Sequence, residues 1–308
     1  MSMSNAMSNR IRSMVVAVAA VAWSGQASAS DCGTNDTKCT QGQVCNGLAA
    51  SCCVKYAGPV YGTAAGDVIF GTSSSDEIYG KGGADTICGN EGDDVIHGGP
   101  GADFISGGLD EDELFGDESA DELHGDGHDD VVHGGDANDD LYGEDGFDNL
   151  IGGAGDDELW GGTEGDVLEG LADDDILHGE AGVDELNGGL GDDLLYGGTE
   201  NDWLCGSEDT DQLYGDDGND TLCGGTGWLD TMYGGYGLDK LNGGTCAGPG
   251  PNADGAFDTY YGGDDTDTCY AAPSDFGESP ITYANNSCEV PIDADLVSNV
   301  WPGVTTCD

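Results

Sequence analysis

The sequence predicts an all-β protein built from a stack of short, nearly identical turns. Glycine recurs at every ninth position from Gly62 to Gly215, an aspartate follows each of these glycines by five residues, and an aliphatic residue follows each aspartate by two. The pattern holds without a slip over residues 62–223. A unit of nine residues is too short to fold alone, so the units must stack and bury a shared core.

Residues 1–29 have the features of a secretory leader. Arg10 and Arg12 supply its positive charge, an apolar run follows, and small residues end at a cleavage site near Ala29. The apolar run is too short to cross a bilayer, and no later stretch approaches twenty apolar residues, so no membrane span is predicted. We therefore expect a secreted, extracellular protein. A lipid anchor on Cys32 is an alternative that the aspartate before it disfavours.

Cysteine-rich segments precede and follow the repeats, at residues 30–61 and 271–308. Export implies an oxidising compartment, so the 12 cysteines are expected to form disulfide bonds. Each segment is too short to bury a core by itself. We predict two small disulfide-stapled caps, because a stack of repeats needs its ends covered. The repeats between the caps extend over residues 62–270, with one inserted residue after Gly224 and a Gly/Pro-rich loop at residues 246–257.

Each nine-residue unit divides into a turn and a short strand. Its first six residues are rich in Gly, Asp, Asn and Ser, which suit left-handed turn conformations. Its last three residues alternate outward, inward and outward, as in Val95-Ile96-His97. We therefore expect three-residue strands that pair in parallel, with the eighth position of every unit in the core.

Residues 98–106, Gly-Gly-Pro-Gly-Ala-Asp-Phe-Ile-Ser, match the pattern G-G-x-G-x-D-x-U-x in which U is a large aliphatic residue. Residues 152–160, 188–196 and 234–242 match it as well. This pattern resembles the RTX nonapeptide, the hemolysin-type calcium-binding repeat. The resemblance implies a parallel β-roll, a β-solenoid with two nonapeptides per coil whose odd and even repeats build two facing sheets.

The same resemblance implies several bound Ca²⁺ ions, since calcium prefers six to eight hard oxygen ligands. In the family, backbone carbonyls of the turns and the aspartate at position six supply these ligands. Folding is then expected to depend on the metal. Carried over to this chain, the carboxylate ligands are Asp67, Asp76, Asp85, Asp94, Asp103, Asp112, Asp121, Asp130, Asp139, Asp148, Asp157, Asp166, Asp175, Asp184, Asp193, Asp202, Asp211, Asp220, Asp239 and Asp267.

Ten units lack the fourth-position glycine of the family pattern. Glu and Ala fit a left-handed turn poorly, so we expect weak calcium binding in residues 107–142 and in the unit that begins at Gly161. The strongest sites are expected in residues 80–103, 143–157, 179–193 and 215–239. The replacements are Ala65, Ser74, Asp110, Ser119, His128, Ala137, Glu164, Asp173, Glu200 and Asp209.

Outward-facing residues should form rows, because two units per coil bring residues eighteen apart onto neighbouring strands. Cys205 and Cys223 have this separation, and we predict a disulfide bond between them. A row of aromatic residues is expected to stabilise the sheet by stacking, with a carbohydrate-binding platform as the alternative. Its members are Tyr142, Trp160, His178, Tyr196, Tyr214 and Tyr233. Glu122, Asp140 and Glu158 form an acidic row, read as a solvated stripe with an extra cation site as the alternative.

Composition and motifs narrow the possible functions. The formal net charge is -56, with 62 acidic and 6 basic residues, and this excludes a nucleic-acid-binding surface. The five histidines do not cluster as zinc ligands would. No metalloprotease or nucleophile-elbow motif occurs, so the chain is not expected to be an enzyme. The favoured function is secreted calcium binding. A calcium-dependent adhesion module that binds polysaccharide or a cell-surface partner is the alternative, and an accessory of a polysaccharide-modifying enzyme or an ice-binding roll is less favoured.

Overall fold

The structure is a computed structural model that describes the backbone of residues 44–45, 48–49, 52–53, 58–226, 229–244, 259–263, 267–270 and 288–289. Side chains are described for residues 58–226, 229–244 and 261–263. The predicted leader and nearly all of both predicted caps lie outside these residues. The predicted ligand Asp267 is described only through its backbone.

All regular structure in the described residues is β. The strands are β1 (Val44–Cys45), β2 (Leu48–Ala49), β3 (Cys52–Cys53), β4 (Val60–Tyr61), β5 (Val68–Phe70), β6 (Glu77–Tyr79), β7 (Thr86–Glu91), β8 (Val95–Pro100), β9 (Phe104–Leu109), β10 (Glu113–Glu118), β11 (Glu122–Gly127), β12 (Val131–Asp136), β13 (Asp140–Asp145), β14 (Asn149–Ala154), β15 (Glu158–Thr163), β16 (Val167–Ala172), β17 (Ile176–Ala181), β18 (Glu185–Leu190), β19 (Leu194–Thr199), β20 (Trp203–Glu208), β21 (Gln212–Asp217), β22 (Thr221–Gly225), β23 (Thr231–Tyr236), β24 (Lys240–Asn242), β25 (Thr259–Gly263), β26 (Asp267–Tyr270) and β27 (Cys288–Glu289).

The strands form two long parallel sheets in which every second strand is a neighbour. One sheet has twelve strands and runs from β3 to β25 through the odd-numbered strands. The other has thirteen, and runs from β4 to β26 through the even-numbered strands before it ends at β27. Leu114 pairs with Ile96 on one side and with Val132 on the other, so in-register partners are eighteen residues apart. The predicted all-β solenoid with two nonapeptides per coil is therefore confirmed, and it comprises about 10 turns.

Most strands have six residues, so the predicted three-residue strands were too short. In β10, Glu113, Leu114 and Phe115 are followed by the first three residues of the next unit, and pairing continues through Asp117 and Glu118. The glycine at position one has no side chain to interrupt the ladder. The first half of each turn can therefore continue the parallel pairing with the neighbouring coils, even though its second residue, Asp117 in β10, is left-handed.

The core consists of the eighth-position residues, as predicted. Twenty side chains are fully buried in one cluster between the two sheets. Burial of a Val, Leu, Ile or Met side chain stabilises the folded state by roughly 1.5–3 kcal/mol. Since each coil adds one such residue to each sheet, the core grows evenly along the stack. The cluster comprises Ile69, Ile78, Ile87, Ile96, Ile105, Leu114, Leu123, Val132, Leu141, Leu150, Leu159, Leu168, Leu177, Leu186, Leu195, Leu204, Leu213, Leu222, Met232 and Leu241.

The predicted disulfide bond between Cys205 and Cys223 is wrong. The two residues are in register on β20 and β22, but the thiol of Cys223 donates a hydrogen bond of 2.7 Å to the carbonyl of Gly244. Cys205 is itself disulfide-bonded, and because Cys223 carries a protonated thiol, the partner of Cys205 is a different cysteine. Burial raises the pKa of the Cys223 thiol to about 12, which keeps it protonated.

None of the described residues forms a helix that is long and apolar enough to cross a membrane.

Candidate metal sites in the turns

The position-six aspartates line both edges of the solenoid, where one sheet turns into the other. Nineteen aspartates in this part of the chain are buried, with exposures between 0 and 4 %. Among the predicted ligands with described side chains, Asp76 alone is half-buried. The structure adds Asp230, which is fully buried at the equivalent place in the unit that carries the inserted residue. The sequence assigns it to the same place, two residues before the core residue Met232, although it was not among the predicted ligands.

Successive aspartates on one edge are joined by hydrogen bonds. The backbone N–H of Asp85 donates to Oδ1 of Asp103 at 2.7 Å, and the N–H of Asp103 donates to Oδ1 of Asp121 at 2.7 Å. The same bond recurs from Asp67 to Asp230 on one edge and from Asp76 to Asp239 on the other. We call these two series the aspartate rows. Each bond orients one carboxylate oxygen toward the preceding coil and leaves the other oxygen directed into the turn.

The second carboxylate oxygen, Oδ2, is the feature that fits a cation. In sixteen consecutive aspartates, from Asp85 to Asp220, Oδ2 is buried and has no hydrogen-bond partner. A buried, unsatisfied carboxylate oxygen costs several kcal/mol unless a charge or a donor meets it. The hard oxygen atoms of these rows are the kind of ligand that Ca²⁺ prefers.

Burial strongly affects the ionisation of the rows. Desolvation raises the pKa of Asp112 and Asp121 to about 8 and that of Asp211 to about 9. The hydrogen bond from the preceding backbone amide opposes this increase, and neighbouring carboxylates add to it. The raised pKa values mean that ionising these carboxylates is unfavourable without positive charge close to them, and a divalent cation would supply that charge.

Backbone carbonyls converge on the same places as the carboxylates. A Cβ atom placed on Gly116 would come within 2.6 Å of Oδ2 of Asp121 and within 2.6 Å of the carbonyl oxygen of Gly134. The glycine at position one is therefore required because two oxygen atoms occupy the space that a side chain would need. Among the described residues no three His, Cys, Asp or Glu side chains form a metal-binding group.

The first two units differ from the others. Oδ2 of Asp67 accepts hydrogen bonds from the amide of Thr63 at 2.7 Å and from its hydroxyl at 2.9 Å. Thr72 makes the same two bonds to Asp76, at 2.6 and 2.9 Å. The structure thus separates these two predicted ligands from the sixteen whose Oδ2 atoms have no partner.

Non-glycine residues at the fourth position are accommodated better than the sequence suggested. Ala137, Glu164 and Glu200 adopt φ angles of +83°, +70° and +78°, and five of the other seven replacements are also left-handed. The exceptions are Ala65 and Ser74, in the two units that Thr63 and Thr72 close. The turns of residues 107–142 keep buried aspartates and unbroken row bonds. The weak calcium binding expected for these turns remains a prediction, and the backbone shows no distortion that would account for it.

Position two is also left-handed, which the repeat pattern did not predict. Glycine occupies it in many units, and that preference was the available signal. Nine other residues there have φ between 68° and 89°, and in four of these units the fourth-position residue is also left-handed and not glycine, so the turn is strained at two places. They are Lys81, Asn90, Asp117, Asp126, Glu144, Leu171, Glu180, Ser207 and Asp216.

The predicted aromatic row is present and longer than expected. It extends from His124 to Tyr261 on the twelve-stranded sheet, with ring centroids 4.5–5.6 Å apart and nearly parallel planes. A second row, missed in the sequence, runs on the thirteen-stranded sheet through Tyr61, Tyr79, His97, Phe115 and His133. Within each row the ring faces cover one another and mainly edges are left exposed. This arrangement favours the stacking interpretation over a platform that would bind sugars on ring faces.

The acidic row is partly neutralised by a histidine. Glu122, Asp140 and Glu158 are in register on β11, β13 and β15 as predicted. His124 lies 3.3 Å from Glu122 and 3.0 Å from Glu144. Burial lowers the pKa of His124, but these two carboxylates outweigh it and raise the pKa to about 9. A protonated imidazole therefore reduces the repulsion at one end of the row.

Comparison with known protein families supports the calcium interpretation of these turns. The family model described as "RTX calcium-binding nonapeptide repeat (4 copies)" matches residues 61–96, 80–114, 89–123, 106–141, 133–168, 160–195 and 196–227. Together these matches span residues 61–227, which is more than half of the 308 residues. A search of curated proteins finds no match.

Proposed function

The chain belongs to the family of RTX calcium-binding nonapeptide repeat proteins, and from this premise we propose that its two aspartate rows bind calcium ions outside the cell and that the β-roll folds as they bind. Proteins with these repeats are generally structural or calcium-binding rather than enzymes, and no catalytic activity is proposed for this one.

The observation that carries the proposal is the series of sixteen buried Oδ2 atoms without hydrogen-bond partners. Each would otherwise impose a desolvation cost on the fold. A divalent cation between successive coils would satisfy these atoms and offset the repulsion between neighbouring carboxylates. Because that repulsion is repeated in every coil of a chain with net charge -56, folding without cations should be unfavourable.

The proposed carboxylate ligands are the aspartates from Asp85 to Asp220, together with Asp230 and Asp239, which are equally buried. Asp67 and Asp76 are proposed as weaker ligands, because Thr63 and Thr72 already satisfy their second oxygen atoms. Backbone carbonyls near the position-one glycines, such as that of Gly134, would complete the coordination.

Export to the extracellular space is supported by the leader pattern of residues 1–29 and by the family, whose members are typically secreted. Extracellular calcium modules work with dissociation constants of roughly 10⁻⁴–10⁻³ M. The chain would therefore remain unfolded where calcium is scarce and fold after export.

The test is a calcium titration of the chelated protein, followed by far-UV circular dichroism and isothermal calorimetry. The expected result is a change from a coil spectrum to a β spectrum with many ions bound per chain. A chain that is already β-structured in chelator would contradict calcium-dependent folding. A folded chain that releases no heat with calcium would contradict calcium binding as well.

A further inference from the structure

An acidic groove lies beside the aromatic row on the outer face of the twelve-stranded sheet. It is lined by the second-position residues Glu180, Gly198, Asp216, Gly235 and Gly263, which are in register on successive strands. The glycines leave space next to the tyrosine rings, and the two acids stand two coils apart. None of these residues belongs to the aspartate rows, whose carboxylates are directed into the turns.

The two acids of the groove lack a cation. Among the described residues, neither Glu180 nor Asp216 forms an ion pair, although both reach solvent. By contrast Glu144, further along the same row, is paired with His124. Glu180 and Asp216 would therefore gain from a positively charged partner.

At one end the groove opens into a cavity of about 310 Å³ lined by Asp216, Asp217, Gly235, Tyr236 and Gly263. Tyr236 is 62 % exposed and takes no part in the ring contacts described above, so a face of its ring is accessible. Two carboxylates beside an accessible aromatic face suit a guanidinium group, which can pair with the acids and stack on the ring.

The negative charge of the chain favours a positively charged partner for this groove. The net charge of -56 disfavours a second copy of this chain, a nucleic acid or an acidic polysaccharide on this face. The distance between Glu180 and Asp216 also favours one conformation of a bound polypeptide. Two coils correspond to about 9.6 Å, and a polyproline II helix repeats every three residues, or about 9.3 Å. An extended β-strand places side chains on one side about every 6.8 Å, which does not match.

We propose that the acidic groove is a docking surface for a cationic polypeptide segment in the polyproline II conformation, with Arg or Lys at every third residue. One cationic side chain pairs with Glu180. A second, one turn further along the segment, pairs with Asp216 and enters the cavity against Tyr236.

The probe is a labelled peptide of four Arg-Pro-Pro triplets, titrated against the full-length protein in saturating calcium and followed by fluorescence anisotropy. The double variant Glu180→Gln with Asp216→Asn should weaken binding roughly tenfold. The matched control is Glu169→Gln with Glu185→Gln, which removes the same charge from the thirteen-stranded sheet and should change affinity less than about twofold. Circular dichroism of both variants verifies that they remain folded.

Equal losses in the two variants would overturn the proposal, because binding would then follow net charge alone. A peptide of the same composition with its four arginines contiguous should bind several-fold more weakly, and equal binding would rule out the three-residue spacing. Spermine or a chitosan oligomer that binds with the same affinity, and with the same dependence on Glu180 and Asp216, would show that the partner class is wrong. Tyr236→Ala should weaken binding of the triplet peptide and leave the circular dichroism spectrum of the protein unchanged.

Discussion

The backbone amide of Asp112 donates a hydrogen bond of 2.7 Å to Oδ1 of Asp130, its equivalent in the next coil. The other oxygen of Asp130 is buried without a partner. One side chain thus has two functions: Oδ1 joins two coils through the backbone, and Oδ2 is the candidate metal ligand. Substitutions can separate the two.

We expect Asp130→Asn to lower the calcium stoichiometry while the coil bond remains, because the amide oxygen can still accept from Asp112. Asp130→Ala should lose both functions and should be less stable than Asp130→Asn by about 1 kcal/mol, the usual net value of a buried hydrogen bond. Calorimetry with calcium and urea unfolding measure the two effects. Glu111→Gln, at an exposed carboxylate nearby, is the control. An unchanged stoichiometry in Asp130→Asn would remove Asp130 from the proposed ligands.

Gly116→Ala should destabilise the folded protein by about 1–3 kcal/mol, as overpacking does elsewhere. The added methyl group would meet Oδ2 of Asp121 and the carbonyl of Gly134 at 2.6 Å. Gly127→Ala is a matched control, since the nearest atom to its Cβ, on Leu109, would be 3.6 Å away. Thermal unfolding in calcium compares them. Equal melting temperatures would mean that the oxygen atoms around Gly116 are not crowded.

Stability should fall with increasing pH when calcium is removed. Desolvation raises the folded-state pKa of Asp112 and Asp121 from 3.8 to about 8. The stability that these two groups give the folded state is therefore fully present below pH 3.8 and is lost as the pH rises toward 8. In saturating calcium the dependence should reverse, because calcium requires ionised carboxylates. Far-UV circular dichroism at pH 5 and pH 8, with and without chelator, tests this through the fraction of chain that is folded. Higher stability at pH 8 in chelator would contradict it.

Trp160→Ala should cost about 1–3 kcal/mol more than Trp203→Ala in calcium-loaded protein. Trp160 stacks between Tyr142 at 4.5 Å and His178 at 5.6 Å, and each stacked pair contributes about 0.5–1.5 kcal/mol beyond burial. Trp203 lies between Glu185 and Thr221 and lacks such neighbours. Calcium stoichiometry should not change in either variant. Equal losses of stability would show that stacking adds nothing and would reopen the ligand-platform alternative.

The nine-residue period was sufficient to predict the sheets and the core. Ile96, Leu114 and Val132 are aligned because a strict repeat leaves one residue per unit to bury. Strand length was not predictable in the same way. Gly116 and Asp117 look like turn residues in sequence, but the sterically open glycine lets pairing continue through them. The glycine pattern shows where a side chain does not fit, but it does not show where strand pairing ends.

The metal sites were predicted unevenly for similar reasons. The period located every buried aspartate up to Asp220, whereas Asp230, in the unit with the inserted residue, was left out of the predicted ligands. Thr63 and Thr72 could not be recognised as closing the first two turns, because a threonine at position two has no special meaning in the repeat. The predicted bond between Cys205 and Cys223 failed because register brings the two residues onto neighbouring strands but does not decide which of the 12 cysteines Cys205 pairs with.

In-register pairing at eighteen residues makes the molecule sensitive to the size of an insertion or deletion. Losing eighteen residues would shorten the stack by one coil, and every remaining residue would stay on its own sheet. Losing nine would exchange the two sheets beyond the break. The Tyr61-to-His133 row and the His124-to-Tyr261 row, now on opposite sides, would then be spliced onto one surface. Insertions or deletions of whole coils therefore preserve which residues each sheet presents, whereas a change of half a coil exchanges the residues on both outer faces beyond it.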